Sequence, residues 1–264
     1  MAPLAVAYRR QAMSSCLRLP RCVFDSWPDG AMLSSVIVEM PPSLTGASMA
    51  SQKQIIETLM QRHGQTFASE LGIDLRKNTP SPLFRLLCYS LLTSAPISAD
   101  LAMRGAKAMA KAGWTTPQKL KTSDWATRAR VLNESGYARV DEKTATQLAD
   151  MNDALLETYG GDLRKLREAA EGSPKALRKR LKAFKGIGGT GADIFLREIQ
   201  LTWDECYPYA DKAALSAAEK LGLKADAAKL ANKVSREDYP KLVAALVRCK
   251  LAKDTQGVKE AAEA

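Results

Sequence analysis

The chain has 264 residues, of which 46% are hydrophobic and 26% charged, and its formal net charge at pH 7 is +10. This length allows one large domain or two lobes, each with its own core. No stretch approaches the ~18 uncharged apolar residues of a membrane span, so we expect no membrane partner. The positive charge favours a polyanionic partner, most simply nucleic acid.

Residues 1–48 differ in pattern from the rest of the chain. They contain five prolines and show no sustained helical or strand period. Four arginines and no acid lie in the first 24 residues, which faintly resembles a transit peptide. We prefer the alternative, a disordered or non-native extension before Met49, the natural start of the folded part. Residues 49–264 keep 35 basic and 26 acidic residues, so the positive charge belongs to the folded part.

From about residue 51 onward the hydrophobic pattern predicts helices. The stretch SPLFRLLCYSLLTSA is almost fully apolar, which predicts a central helix with Ser81 as its cap and Pro82 in its first turn. No strand alternation is present. We therefore predict an all-α domain over 49–250 and a flexible C-terminal tail over 251–264. Later helices are predicted at about 123–135, 141–159, 162–170, 174–184, 191–201, 211–221, 226–233 and 236–250.

The few cysteine and histidine residues of the chain do not predict a metal site. The five cysteines, at positions 16, 22, 88, 206 and 249, include no CxxC pair, and His63 is the one histidine. A histidine-based metal site or a Ser-His-Asp triad is therefore not expected, and we predict no metal.

The segment FKGIGGTGAD, residues 184–193, places four glycines between two helix-forming stretches. A glycine inside a helix lowers the stability of that helix by about 1 kcal/mol relative to alanine. We therefore expect these four glycines to have a structural or functional role. The preceding ALRKRLKAF is amphipathic with a strongly basic face, and the following TGADIFLREIQ has an apolar face. The pattern predicts a helix, a glycine hairpin and a second helix.

A hairpin of this kind can hold a phosphate group. Glycines permit positive φ and close approach, and the N–H groups and dipole at the start of the second helix favour an anion. Ile187 would point inward, and flanking lysines would neutralise charge. Alternatively, the glycines only turn a corner between packed helices. The predicted DNA-binding residues are Lys182, Lys185, Gly186, Ile187, Gly188, Gly189, Thr190 and Gly191.

The stretch LKAFKGIGGTGADIFL, followed by PYADKAALSAAEKLGL, resembles the endonuclease III-like branch of the helix-hairpin-helix DNA glycosylase superfamily. Weaker likenesses upstream extend the resemblance over about 75–225. It implies an all-α, two-lobed fold with a DNA-binding cleft between the lobes. It also implies base excision repair, in which a damaged or mismatched base is flipped out of the duplex and its N-glycosidic bond is hydrolysed. Asp211 falls on the family's essential aspartate, which would stabilise positive charge on the sugar or activate a water.

Departures from the family pattern limit the implied chemistry. Thr190 stands where bifunctional relatives carry a lysine nucleophile, so we expect no strong AP-lyase activity. Only Cys249 follows Asp211, so the four-cysteine iron–sulfur cluster of many relatives cannot form, and we expect no cofactor. The loop TSAPISAD lacks the glutamine that often fills the gap left by the flipped base.

Two assignments have structural alternatives. Asp211 precedes KAALSAAEKLG, and aspartate is among the best N-cap residues, so it can cap a helix, act in catalysis, or do both. Tyr137, Trp203 and Tyr209 could stack on a base. Aromatic residues buried at helix joints are nevertheless commoner.

Three functions follow from these features. We favour a monomeric, monofunctional DNA glycosylase acting on double-stranded DNA; it would be intracellular, and in a bacterium cytoplasmic and associated with the nucleoid. The missing lysine and glutamine favour instead a non-catalytic DNA-binding or damage-sensing protein. The third function is an all-α protein-interaction scaffold, which predicts little DNA affinity. The sequence does not specify the lesion.

Overall fold

The computed structural model describes residues 50–264, and the predicted extension over 1–48 lies outside this range. Within 50–264 the chain contains no strand, which confirms the predicted all-α class. No helix in this range has the length and apolar character needed to cross a bilayer. The helices are α1 (Gln52–His63), α2 (Phe67–Glu70), α3 (Pro80–Leu92), α4 (Ala99–Lys111), α5 (Pro117–Lys121), α6 (Trp125–Leu132), α7 (Asp141–Tyr159), α8 (Leu163–Glu168), α9 (Pro174–Ala183), α10 (Gly189–Ile199), α11 (Lys212–Lys220), α12 (Ala227–Ala231), α13 (Tyr239–Ala252) and α14 (Thr255–Glu263).

Several helices begin at a capping side chain that the sequence supplies. Ser98, Asp124 and Ser173 each accept a hydrogen bond from the backbone N–H three residues further on. Such caps typically stabilise a helix by about 1 kcal/mol. The start of α3 differs from the prediction: the helix begins at Pro80, whose missing N–H and fixed φ suit the first helical position. The Ser81 hydroxyl does not cap the helix and donates to the Thr115 carbonyl at 2.9 Å.

The apolar helix α3 lies at the centre of the fold, as its sequence predicts. Every residue from Leu86 to Leu92 is buried, and the helix packs against α4 and α10. Burying one leucine or phenylalanine side chain contributes about 1.5–3 kcal/mol, so this helix is a main source of stability. Its C-terminal end also supplies the surface on which the glycine hairpin rests.

The C-terminal residues 251–264 correct the prediction of a flexible tail. They complete α13 and form α14, which packs on α1. Val258 and Ala262 of α14 are buried. At the turn before α14, an Asp254 oxygen lies 2.7 Å from Nε2 of His63 at the end of α1. The helix is short and its buried side chains are small, so its hydrophobic period is weak in the sequence.

Replacing Val258 with aspartate should lower the free energy of unfolding by about 2–4 kcal/mol, because a carboxylate would lie unpaired between α1 and α14. Gln256→Asp is the matched control, since this exposed position lies in the first helical turn, and losing its hydrogen bond to Glu260 should cost less than about 1 kcal/mol. Urea denaturation of both variants measures the difference. Equal midpoints would show that α14 does not pack on the domain.

Candidate functional site

The glycine hairpin joins α9 to α10 through residues 184–188. Gly186 has a φ of +92°, a conformation that side chains other than glycine rarely adopt. Ile187 is buried, and its N–H donates to the Phe184 carbonyl at 3.1 Å. The turn is therefore closed by its own backbone and held inward by one apolar side chain.

The start of α10 is fastened to the end of α3. The Gly188 N–H donates to the Ser94 hydroxyl at 3.2 Å. A Cβ atom on Gly191 would collide with the Ser90 carbonyl oxygen and with the Ser94 hydroxyl. The absence of a side chain at Gly191 thus allows α10 to cross close to α3. This contact fixes the position of the hairpin on the domain.

The first turn of α10 presents free backbone N–H groups. No acceptor in residues 50–264 binds the N–H groups of Gly189 and Thr190, and no side chain caps this helix. Gly188 and Thr190 are exposed, and a Cβ atom on Gly188 would meet nothing within 4 Å, so this side of the helix start is open to solvent. Free N–H groups at a helix start, together with the helix dipole, bind anions such as phosphate.

The two lysines predicted to bind DNA are exposed. Nζ of Lys185 lies 2.7 Å from Oδ2 of Asp150, a surface pair that stabilises the fold little and that a phosphate can displace. Lys182 has no ion-pair partner within the described part of the chain. The hairpin therefore carries exposed positive charge beside its open N–H groups.

Asp211 caps α11, as one of the two sequence interpretations predicts. Its Oδ1 accepts from the Ala214 N–H at 2.9 Å, and its Oδ2 accepts from the Arg197 guanidinium. The residue is only 7% exposed. Its carboxylate is therefore held in one orientation by a helix start and by a buried cation.

Arg197 lies buried in α10 between two carboxylates. It contacts Asp211, and its Nε lies 3.4 Å from Oε1 of Glu198. Burial alone would lower the pKa of Arg197, but the charges of Glu198 and Asp211 outweigh burial and raise that pKa, so the guanidinium stays charged. Glu198 in turn accepts from the Ala68 N–H at 2.9 Å. This chain of contacts ties α2, α10 and the start of α11 together.

A cavity of about 460 Å³ opens beside Asp211. Thr190, in the first turn of α10, lies on its wall, as do the exposed Lys212 and Lys250. The volume lies within the range of small-molecule sites and exceeds that of a single nucleobase. The structure therefore brings Asp211 and Thr190 to one cavity, whereas Lys182 and Lys185 lie outside it. The larger apolar side chains of the wall are Phe67, Tyr89, Ile97, Ile194, Val247 and Leu251.

The structure corrects two of the three aromatic candidates for base stacking. Tyr137 and Trp203 are 1% and 0% exposed. The Tyr137 hydroxyl donates to the last carbonyl of α3 at 2.8 Å, and the Trp203 Nε1–H donates to Oδ1 of Asn78 at 3.1 Å. Both rings belong to the core and offer no face to a base. Tyr209 is half-buried, and its hydroxyl donates at 2.7 Å to Asp193, a residue on the cavity wall.

The sequence interpretation missed Arg197, Phe67 and Tyr89. Arg197 and Glu198 occur as an adjacent charged pair in a helix whose neighbouring positions are apolar. A charged residue at an expected core position is a signal for a buried ion pair. Phe67 and Tyr89 have no comparable signal, because apolar helix residues that line a cavity resemble those of any core.

Comparison of the chain with family models, curated proteins and solved structures gives no match. The functional conclusion therefore depends on the residues and their geometry.

Proposed function

We propose that the protein is a monofunctional DNA glycosylase of the helix-hairpin-helix kind. In this proposal the fold is two-lobed, the DNA lies in the cleft between the lobes, and the cavity receives a base flipped out of the duplex. One observation carries the proposal: Asp211 and Thr190, in the first turn of α10 just after the hairpin, lie on the wall of the same cavity. An anion-binding helix start and a buried carboxylate thus meet at one site, which DNA binding and glycosidic-bond chemistry both require.

The hairpin is the proposed contact with the DNA backbone. A phosphate would accept hydrogen bonds from the open N–H groups of Gly189 and Thr190, while Lys182 and Lys185 add positive charge. These contacts fix the position of the duplex without selecting a sequence. The proposed partner is double-stranded DNA and the proposed functional unit is a monomer, in an intracellular setting that in a bacterium would be the nucleoid.

Asp211 is the proposed catalytic group. Water adds to C1′ of the sugar, the C1′–N bond breaks, and the base leaves with the bonding electrons and a proton. A carboxylate beside C1′ stabilises the positive charge that develops there, or accepts the proton of the attacking water. Each Asp211 oxygen has a second lone pair beyond its structural contact, so capping α11 and facing the sugar are compatible.

Hydrolysis is the proposed outcome, without cleavage of the DNA strand. A lyase step needs an amine nucleophile that forms a Schiff base with the sugar. At the position where bifunctional relatives carry that lysine, this chain has Thr190, whose hydroxyl cannot form an imine. The expected product is therefore an abasic site in an intact strand.

One observation favours a second candidate function, a non-catalytic DNA-binding or damage-sensing protein. Both Asp211 oxygens already have structural partners, Ala214 and Arg197.

Incubating the protein with duplexes that each carry one lesion or mismatch tests the proposal, with mass spectrometry of the released base. Enzyme-dependent release from any duplex supports the glycosylase. Tight binding without release supports the sensor, and absence of binding at low salt supports a protein-interaction scaffold.

DNA affinity should fall steeply with salt, because binding releases counterions from the phosphates. Lys182→Glu should weaken binding and lower the slope of log K against log salt by about 0.9 for each phosphate that the variant no longer neutralises. Lys53→Glu is the control, since Lys53 is exposed on α1, which packs on α13 and α14. Fluorescence anisotropy at several salt concentrations measures both slopes. Equal slopes for the two variants would contradict the assignment of the hairpin as the phosphate-binding element.

A further inference from the structure

The Tyr89 hydroxyl is a polar group without a hydrogen-bond partner among the described residues, on a residue of the cavity wall. Tyr89 lies on the cavity wall, and its side chain is only 1% exposed. Within residues 50–264 no group donates to its hydroxyl or accepts from it. A hydroxyl that lies on a cavity wall without a partner in the protein is available for a hydrogen bond to a ligand in that cavity.

The Tyr89 hydroxyl can act as both donor and acceptor toward such a ligand. Burial raises the pKa of Tyr89, and the nearby charge of Glu198 raises it further. The hydroxyl therefore keeps its proton at neutral pH. A neutral tyrosine donates one hydrogen bond and accepts others, which matches the carbonyl and amino groups along the edge of a nucleobase.

The Phe67 ring on the cavity wall already contacts two cations and the Tyr89 ring. The guanidinium carbons of Arg197 and Arg248 lie 5.1 and 4.2 Å from the centroid of the Phe67 ring. The rings of Phe67 and Tyr89 stack with their centroids 6.1 Å apart. Recognition of a cationic base by cation–π attraction needs a free aromatic face. Phe67 is occupied in this way, and the ring of Tyr89 is buried.

The charges on the cavity wall also disfavour a cation. Arg197 pairs with both Asp211 and Glu198, and Asp193 pairs with Arg178 of α9. Lys212 and Lys250, also on the wall, have no acidic partner within the described residues. These groups together carry one net positive charge, which disfavours the entry of a positively charged base.

We infer that the cavity selects a neutral base and that the Tyr89 hydroxyl hydrogen-bonds to the edge of that base as a specificity-determining contact. This inference depends on the proposed function, because it assumes that the cavity holds a flipped base. It divides lesions into two classes: neutral bases with a hydrogen-bonding edge, such as uracil, hypoxanthine and 8-oxoguanine, and cationic alkylated bases, such as 7-methylguanine and 3-methyladenine.

Base release from duplexes of both classes tests the inference. The wild-type protein should release at least one neutral base and no cationic base. Tyr89→Phe should lower kcat/KM for the released base about 10- to 100-fold, because the partner group on the base is left unpaired. Tyr239→Phe is the control, since it removes a tyrosine hydroxyl that likewise has no partner within residues 50–264 but does not line the cavity. Preferred release of a cationic base, or an unchanged kcat/KM in folded Tyr89→Phe, would overturn the inference.

A binding measurement separates this inference from the proposed function. If no duplex releases a base, the glycosylase proposal fails, and nucleosides then test the cavity directly. Guanosine and 7-methylguanosine differ by one methyl group and, at pH 6, by a positive charge. NMR titration should show at least a tenfold preference of the wild-type protein for guanosine, which Tyr89→Phe loses. Equal binding, or preference for 7-methylguanosine, would refute selection of a neutral base.

Discussion

The Asp211→Asn variant is expected to bind duplex DNA with wild-type affinity and to release base at least about 10²-fold more slowly. An amide carries no negative charge to stabilise the sugar cation and is a poor proton acceptor. Asparagine is as good an N-cap as aspartate, so α11 should keep its start. The loss of rate can therefore be attributed to chemistry.

Two further measurements make this result interpretable. In Asp211→Asn, Arg197 loses one of its two carboxylate partners but keeps Glu198. We therefore expect the free energy of unfolding to fall by about 1–3 kcal/mol, which urea denaturation measures. Asp226→Asn is the matched control. Asp226 caps α12 by accepting from the Lys229 N–H at 2.8 Å and does not line the cavity, so its substitution should leave base release unchanged. Wild-type release by folded Asp211→Asn would remove Asp211 from the mechanism.

The Gly191→Ala and Gly188→Ala variants are expected to behave in opposite ways. At Gly191 a methyl group would meet the Ser90 backbone where α10 crosses α3, so we expect a loss of about 2–3 kcal/mol of unfolding free energy. Gly188 has a φ of −85° and open space around it, so alanine there should change stability by less than about 1 kcal/mol.

The same two variants separate packing from DNA binding. A methyl group on Gly188 would occupy open space at the start of α10, where the proposed phosphate would approach. Gly188→Ala should therefore weaken DNA binding about tenfold while the fold remains intact, since each charge-assisted hydrogen bond contributes about 1.5 kcal/mol. Urea denaturation and fluorescence anisotropy provide the two measurements. Wild-type affinity in Gly188→Ala would place the phosphate-binding site elsewhere.

The fold class could be predicted from the sequence because its signals are local. Helical periods, capping residues and glycine breaks mark the elements from α6 to α13, and the helix pair around residues 184–188 follows from the same signals. The sequence predicts the wrong start for α3, because it contains two prolines that both suit a first helical turn. Pro80 takes that position, and Ser81 is drawn to a carbonyl outside the helix.

Part of the candidate site could not be predicted, because it depends on contacts between distant segments. Trp203 is hidden by packing that no local pattern reports, and it is excluded from base stacking for that reason. Arg197 and Tyr89 reach the cavity only through the crossing of α10 over α3. The docking of α14 likewise depends on small side chains and on the pair between Asp254 and His63.

The most direct test of the central proposal is a single-turnover measurement that counts free bases and strand ends from the same lesion duplexes. With protein in excess over DNA, we expect up to one base released per lesion and an intact strand until the abasic site is cleaved by alkali. Failure of the wild-type protein to release any base, despite saturated DNA binding, would contradict the assignment of a DNA glycosylase. Strand ends appearing in proportion to free base would contradict the monofunctional mechanism.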